Sequence, residues 1–297
     1  MKQEISKEAM ALIKAMQQNE LTESVIYQKI ATFAKGDENK KTLRRLAQEE
    51  HAHYEIWKHY TGIEMKPQRF KVFKYTMLAR ILGFTFAVKL MEKGEQGAQD
   101  KYAKLSEEVP ESTHIREQEE EHEQALLGML DEERLQYVGS MVLGLSDALV
   151  ELAGSLAGFT FALNNTKLVA LSGLIVGISA TFSMASSEFL SAKSEGRKDA
   201  FKSCLYTGVA YLITVVLLIL PYLLVGAILD PTHGIVALIA MLVIIVAIIA
   251  GFTYYTSVAM DQPFGSRFFE MAGISLGVAV ISFLVGILAK QLLGVDI

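Results

Sequence analysis

The sequence predicts an all-α protein, a four-helix bundle followed by a five-span helical membrane domain. Three observations predict it. Apolar residues in the first half recur at seven-residue spacing along four long segments. The second half holds five apolar stretches separated by turn formers. Charge is also uneven: residues 139–297 carry only 7 of the 28 Lys and Arg and 9 of the 33 Asp and Glu. Two domains are expected, 1–137 cytoplasmic and 138–297 in the membrane.

Composition excludes several classes. Net charge is −5 with no basic patch, which argues against nucleic acid. The single cysteine, Cys204, cannot form an internal disulfide. The first residues, "MKQEISKEAMALIKAMQQNE", are amphipathic and polar with no apolar signal core, so neither cleavage nor secretion of this half is expected.

Helices are predicted over 3–35, 38–61, 67–106 and 109–136, with breaks at "KGDEN", "TGIEMKPQ" and "EEVPEST". Pro67 and Pro110 fall near helix starts, where proline is tolerated. The core stripes are Ile13, Met16, Glu20, Tyr27, Ala31 and Ala34 in the first helix, and Leu46, Glu50, His53 and Trp57 in the second. They continue as Phe84, Val88, Met91, Glu95, Ala98, Tyr102 and Leu105 in the third, and Ile115, Glu119, His122, Leu126 and Met129 in the fourth. One Glu in a Glu-rich half is ordinarily solvated. Here every stripe carries a Glu in line with core positions, and the second and fourth add a His three residues later.

The spacing also repeats. Glu20–Tyr27 and Glu95–Tyr102 are each seven apart, and Glu50–His53 maps onto Glu119–His122 with one offset of 69. This reads as an internal duplication of a helix pair. Four carboxylates and two imidazoles facing one core cannot be buried uncompensated; two divalent metals would neutralise them. Glu20, Glu50, His53, Glu95, Glu119 and His122 are therefore the expected ligands, the arrangement of di-iron carboxylate bundles. Glu92, beside the stripe, is the alternate or bridging candidate. Tyr27 and Tyr102 are read as donors orienting carboxylates or as core tyrosines. Trp57 is expected to pack, and His51, His59 and His114 to face water. No catalytic residue is assigned.

Spans are predicted near 139–163, 168–190, 205–229, 234–258 and 269–293, each long enough for a hydrocarbon core of about 30 Å. Lys193, Arg197, Lys198, Lys202 and Arg267 fall in one set of loops, against Lys167 and Lys290 in the other. The positive-inside rule then puts the N-terminal domain in the cytoplasm and the C-terminus outside. No Pro or Gly break separates the fourth helix from the first span, so a continuous helix is expected there. Asp147 and Glu151 lie one turn apart in the first span, as do Met184 and Glu188 in the second. An acid at such depth costs roughly 3 kcal/mol and marks a pathway or a partner helix; the alternative for the second pair is an interfacial Glu188 at the cytoplasmic mouth with Met184 as ordinary packing. Carboxylate, hydroxyl and thioether together suit a borderline transition metal, and a metal would displace the carboxylate's proton. "GSLAG" (154–158), "GLIVG" (173–177) and "GISLG" (273–277) allow close helix packing.

With these residues in view, the chain resembles the membrane-bound ferritin group, in which a rubrerythrin-like ferritin domain is fused to a vacuolar iron transporter-type membrane domain. Glu20, Glu50, His53, Glu95, Glu119 and His122 carry the resemblance on one side, and "GLSDALVELAGSLAG" with "SMASSEFLS" on the other. The resemblance implies a homodimer that exports ferrous iron, or manganese, from the cytoplasm against protons, through Asp147 and Met184. It implies two iron ions per bundle, with manganese or zinc as substitutes. The expected site is an inner or plasma membrane. The loop between spans two and three, "SAKSEGRKDAFKS", departs from the family: Glu195 and Asp199 are its only acids, where transporters without the ferritin fusion carry a Glu-rich segment. The competing reading is a membrane-anchored di-iron oxidase or peroxidase, and ferroxidase or peroxidase activity is compatible with transport.

Overall fold

The computed structural model describes residues 5–95, 105–106, 108–128 and 136–293. The chain divides into two compact units, Met1–Leu135 and Gln136–Ile297, and the regular elements among the described residues are all helices.

The first unit opens on a helical hairpin, α1 (Lys7–Ala31) and α2 (Asp37–Thr61). The Ser6 hydroxyl caps α1 by accepting the Ala9 N–H at 3.1 Å, satisfying one of the amides that no helical carbonyl reaches. Gly62, at φ 65°, closes α2 in the left-handed conformation that glycine adopts without a Cβ clash. The two helices approach closely enough for Ser24 Oγ to donate to the Ala47 carbonyl at 2.7 Å. Buried Gln17 clamps the end of the hairpin, donating to the Ile63 carbonyl and accepting from Thr61, both at 2.7 Å.

The third predicted helix is corrected. It is two helices, α3 (Arg69–Leu82) and α4 (Phe84–Glu95), interrupted at Gly83 with φ 102° and ψ 150°. That conformation is essentially closed to residues with a side chain, and it turns the helical path. α5 (Glu111–Gly128) follows Pro110. Tyr60 of α2 donates to Glu111 at the start of α5. Ile13, Met16, Tyr27, Leu46, Trp57, Val88, Ile115 and Leu126 are all buried, so the seven-residue stripes do form the interior. The predicted stripe positions Ala98, Tyr102 and Met129, and the junction at 129–135 expected to be a continuous helix, lie outside the described residues.

The second unit contains α6 (Val138–Leu163), α7 (Thr166–Ser194), α8 (Ala200–Ile228), α9 (Gly234–Ala259) and α10 (Phe264–Leu293). All five are long and apolar enough to cross a membrane. Asn164, at φ 43°, and Asn165, whose side chain accepts the Lys167 and Leu168 amides, make the turn between the first two. Leu149, Leu152, Leu156, Tyr211, Leu218, Tyr222, Met241 and Ile245 fill the centre. Phe182, Ile228 and Phe269 point outward with 70% or more of their surface exposed. In water that would be untenable; against lipid it is ordinary. The chain is an integral membrane protein.

Glycines set the spacing of the spans. A Cβ on Gly154 would lie 2.7 Å from Ser282 Oγ of α10, and one on Gly177 would lie 2.6 Å from Val215 of α8. Two of the small-residue motifs therefore pack inside the unit. The third leaves Gly273 and Gly277 facing open space. A Cβ on Gly144 would collide with the Thr207 backbone carbonyl oxygen, which cannot yield unless α6 and α8 part. Gly144→Ala is expected to destabilise the detergent-solubilised protein by about 1–3 kcal/mol through overpacking. Gly277→Ala, with room for its methyl, should not. Equal melting of the two variants would show this helix contact to be absent.

Candidate metal centre and intramembrane acids

Glu20 of α1, Glu50 and His53 of α2 and Glu119 of α5 converge, each offering one ligand atom within 4.8 Å of the others. Helical periodicity brings them there: positions 50 and 53 lie on one face of α2, and 119 and 122 on one face of α5. His53 Nδ1 lies 3.1 Å from Glu119 Oε1 and 3.6 Å from both Glu20 Oε2 and Glu50 Oε2. His122 Nδ1 lies 3.1 Å from Glu50 Oε1 and 3.5 Å from Glu119 Oε2. Glu50 and Glu119 thus each turn one oxygen toward one imidazole and the second oxygen toward the other. The rings stack, 5.7 Å between centroids and 25° apart in plane.

This donor set fits a divalent cation. Glu50, His53 and His122 are almost wholly buried. Glu50 Oε2, His53 Nδ1 and Glu119 Oε1 are buried against one another without an aligned hydrogen bond among them. Orphaned buried polar atoms are costly unless something satisfies them, and three of them aimed at one point suit a cation. Carboxylate and imidazole donors together suit iron, manganese or zinc.

When no cation is bound, protons must balance the charge. Burial, and then the neighbouring Glu50, push the Glu20 carboxyl well above its usual range. Burial would raise Glu50 too, but contacts with Glu20, His122 and His53 hold its carboxyl far below the ordinary value. Burial opposes charge on His122, yet Glu119 and Glu50 outweigh it and push the imidazole up to about 10. His53 is raised further, against the same opposition from burial, by Glu119, Glu20 and Glu50. A histidine pKa raised on folding stabilises the fold fully below its ordinary value near 6.5, and that stabilisation is lost as pH climbs through about 10. Chelator-treated protein is therefore expected to melt several degrees lower at pH 9.5 than at pH 6.5, and added manganese should remove the difference by replacing the protons. The readout is Trp57, the one tryptophan of the chain. An unchanged or higher melting point at pH 9.5 would contradict this charge assignment.

Trp57 does more than pack: its indole N–H donates to Glu20 Oε1 at 3.3 Å. Tyr27 is buried among the apolar core residues. His51, His59 and His114 are exposed. The side chains of Glu92 and Glu95, and Tyr102 as a whole, lie outside the described residues.

In the membrane unit Asp147 is partly buried on α6, and Glu151, one turn on, is exposed on the unit's flank. The Tyr211 hydroxyl of α8, at the end of a fully buried side chain, donates to Glu151 at 3.2 Å. Met184 packs against the central apolar cluster. Glu188 is already engaged. It accepts from Ser140 of α6 at 3.1 Å and from Ser203 of α8, and Arg197 stands 3.7 Å away. Sequence reasoning missed Tyr211, Ser140 and Ser203, because hydroxyls in an apolar run carry no periodic signal. Five long apolar helices, with the Asp147 carboxylate partly buried and Glu151 on the flank, define an integral membrane protein. A model of the VIT family matches residues 138–199, the first two spans and the loop after them, which points to a membrane metal-ion transporter. No curated protein and no solved structure matches the chain.

Proposed function

We propose that the protein exports a divalent transition metal, ferrous iron foremost and manganese as the alternative, from the cytoplasm in exchange for protons. The observation that carries this reading is the pair Asp147 and Glu151 inside the first span, within the segment similar to the VIT family. A carboxylate in low dielectric keeps its proton until a cation displaces it, so one site can alternate between the two cargoes. Asp147, Glu151 and the Met184 thioether supply the path; Tyr211 holds Glu151 in place. Glu188, tied to Ser140, Ser203 and Arg197, would have to release these partners to receive a cation. In the soluble unit Glu20, Glu50, His53, Glu119 and His122 hold two ions and capture, sense or oxidise them; Glu92 and Glu95 complete the expected set.

The working form is a homodimer. Glu151 is exposed on the protomer's flank, where a charge facing lipid would cost several kcal/mol, and a second copy would cover it. On α3, Phe70, Phe73 and Ile81 are more than half exposed, also suiting a partner copy. The oxidase or peroxidase reading leaves five spans and their acids without a role. The test is a flux assay in proteoliposomes under a pH gradient, comparing ferrous iron, manganese and zinc. Metal uptake coupled to counterflow of protons supports the proposal, and absence of flux for all three ions overturns it.

A further inference from the structure

Each imidazole of the bundle cluster uses its second nitrogen on a neighbour that the ligand pattern did not include. His122 Nε2 lies 2.9 Å from Glu49 Oε2, and His53 Nε2 lies 2.9 Å from Gln118 Oε1. Both contacts cross between helices: Glu49 on α2 reaches the histidine of α5, and Gln118 on α5 reaches the histidine of α2. The two acceptors are also equivalent in the sequence repeat. Glu49 immediately precedes Glu50 and Gln118 immediately precedes Glu119, so the pair shares the offset of 69 that relates the ligands.

An oxygen acceptor at Nε2 draws the N–H to that side and leaves Nδ1 facing the carboxylates. In the structure His53 Nδ1 is buried against Glu119 Oε1, and His122 Nδ1 against Glu50 Oε1, both at 3.1 Å. The acceptors differ in kind, however. A carboxylate draws the imidazole proton more strongly than an amide does, and so makes the ring a stronger donor at its other nitrogen. Arg45 lies 3.3 Å from the second oxygen of Glu49 and holds that carboxylate in place.

Resting on the reading of this cluster as a two-metal centre, we propose that Glu49 and Gln118 are matched positioning residues that turn His122 and His53 inward and make the two halves of the centre unequal. One half is His122 with Glu50 Oε1 and Glu119 Oε2, backed by a carboxylate. The other is His53 with Glu20, Glu50 Oε2 and Glu119 Oε1, backed by an amide. Cations fill these halves in separable steps, and each step answers to its own outer residue.

The test is a cobalt(II) titration of the full-length protein in detergent, followed by calorimetry, cobalt absorption and quenching of Trp57. Steps that vanish in Glu50→Ala belong to the bundle. Wild type is expected to show two bundle steps. Glu49→Ala should weaken one of them on the order of 10–100-fold and Gln118→Ala the other, the range typical of outer residues behind a metal-bound histidine. Glu49→Gln keeps an acceptor and should restore most of the loss. Gln118→Glu should tighten the step that Gln118→Ala weakens, an effect that a merely structural contact would not produce. If both alanine variants leave the two steps unchanged, or shift them together, the inequality is refuted while the metal centre stands. If wild type shows no bundle step at all, the metal centre itself fails, and this inference fails with it.

Discussion

Replacing Asp147 with alanine is expected to reduce metal flux through the full chain to the background of empty liposomes, and cells carrying the variant should retain more iron than wild type. Asp147 sits in α6 one turn before Glu151, in a unit whose core cluster is built from Leu, Ala, Val, Ile, Met and Tyr. Keeping an acid there costs roughly 3 kcal/mol, and alanine would remove that cost. The spans should therefore fold at least as well while losing the group that binds cation or proton. Trp57 quenching by added metal should be unchanged, because the first unit keeps its ligands. Unaltered export by Asp147→Ala would eliminate this carboxylate from the transport path.

Replacing Glu50 with alanine should abolish pairwise metal loading of the bundle, weakening binding by on the order of 100-fold or more, since outer residues alone are worth 10–100-fold. Glu50 is the carboxylate whose oxygens face both imidazoles, at 3.6 Å from His53 and 3.1 Å from His122. Its loss opens both halves together. The same substitution leaves two buried, protonated imidazoles short of their counter-charge, and removing one member of a buried ionic group costs about 3–5 kcal/mol. Thermal unfolding of chelator-treated protein, read from Trp57, should show that loss. Two tightly bound metals in Glu50→Ala would place the metal centre elsewhere.

Much of this was legible from periodicity. The positions at seven-residue spacing, from Ile13 and Met16 to Ile115 and Leu126, are interior, because a helix keeps one face toward its neighbours whatever those neighbours are. Five apolar runs likewise became five helices of spanning length. What the sequence did not disclose is which residue of one helix stands opposite which residue of another. Tyr211 under Glu151, Ser140 and Ser203 around Glu188, and Gln118 behind His53 all depend on the rotation and offset of neighbouring helices, which a single helix's pattern does not encode. The interruption at Gly83 was missed for a different reason: an isolated glycine is often tolerated within a helix, and only its φ of 102° shows that this one is a corner.

The two carboxylates that look both ways, Glu50 and Glu119, stand on different helices, α2 and α5. Each imidazole meets oxygens from both helices, so the nest exists only while α2 and α5 stay docked, and a swing of either would scatter the donors and let a captured ion go.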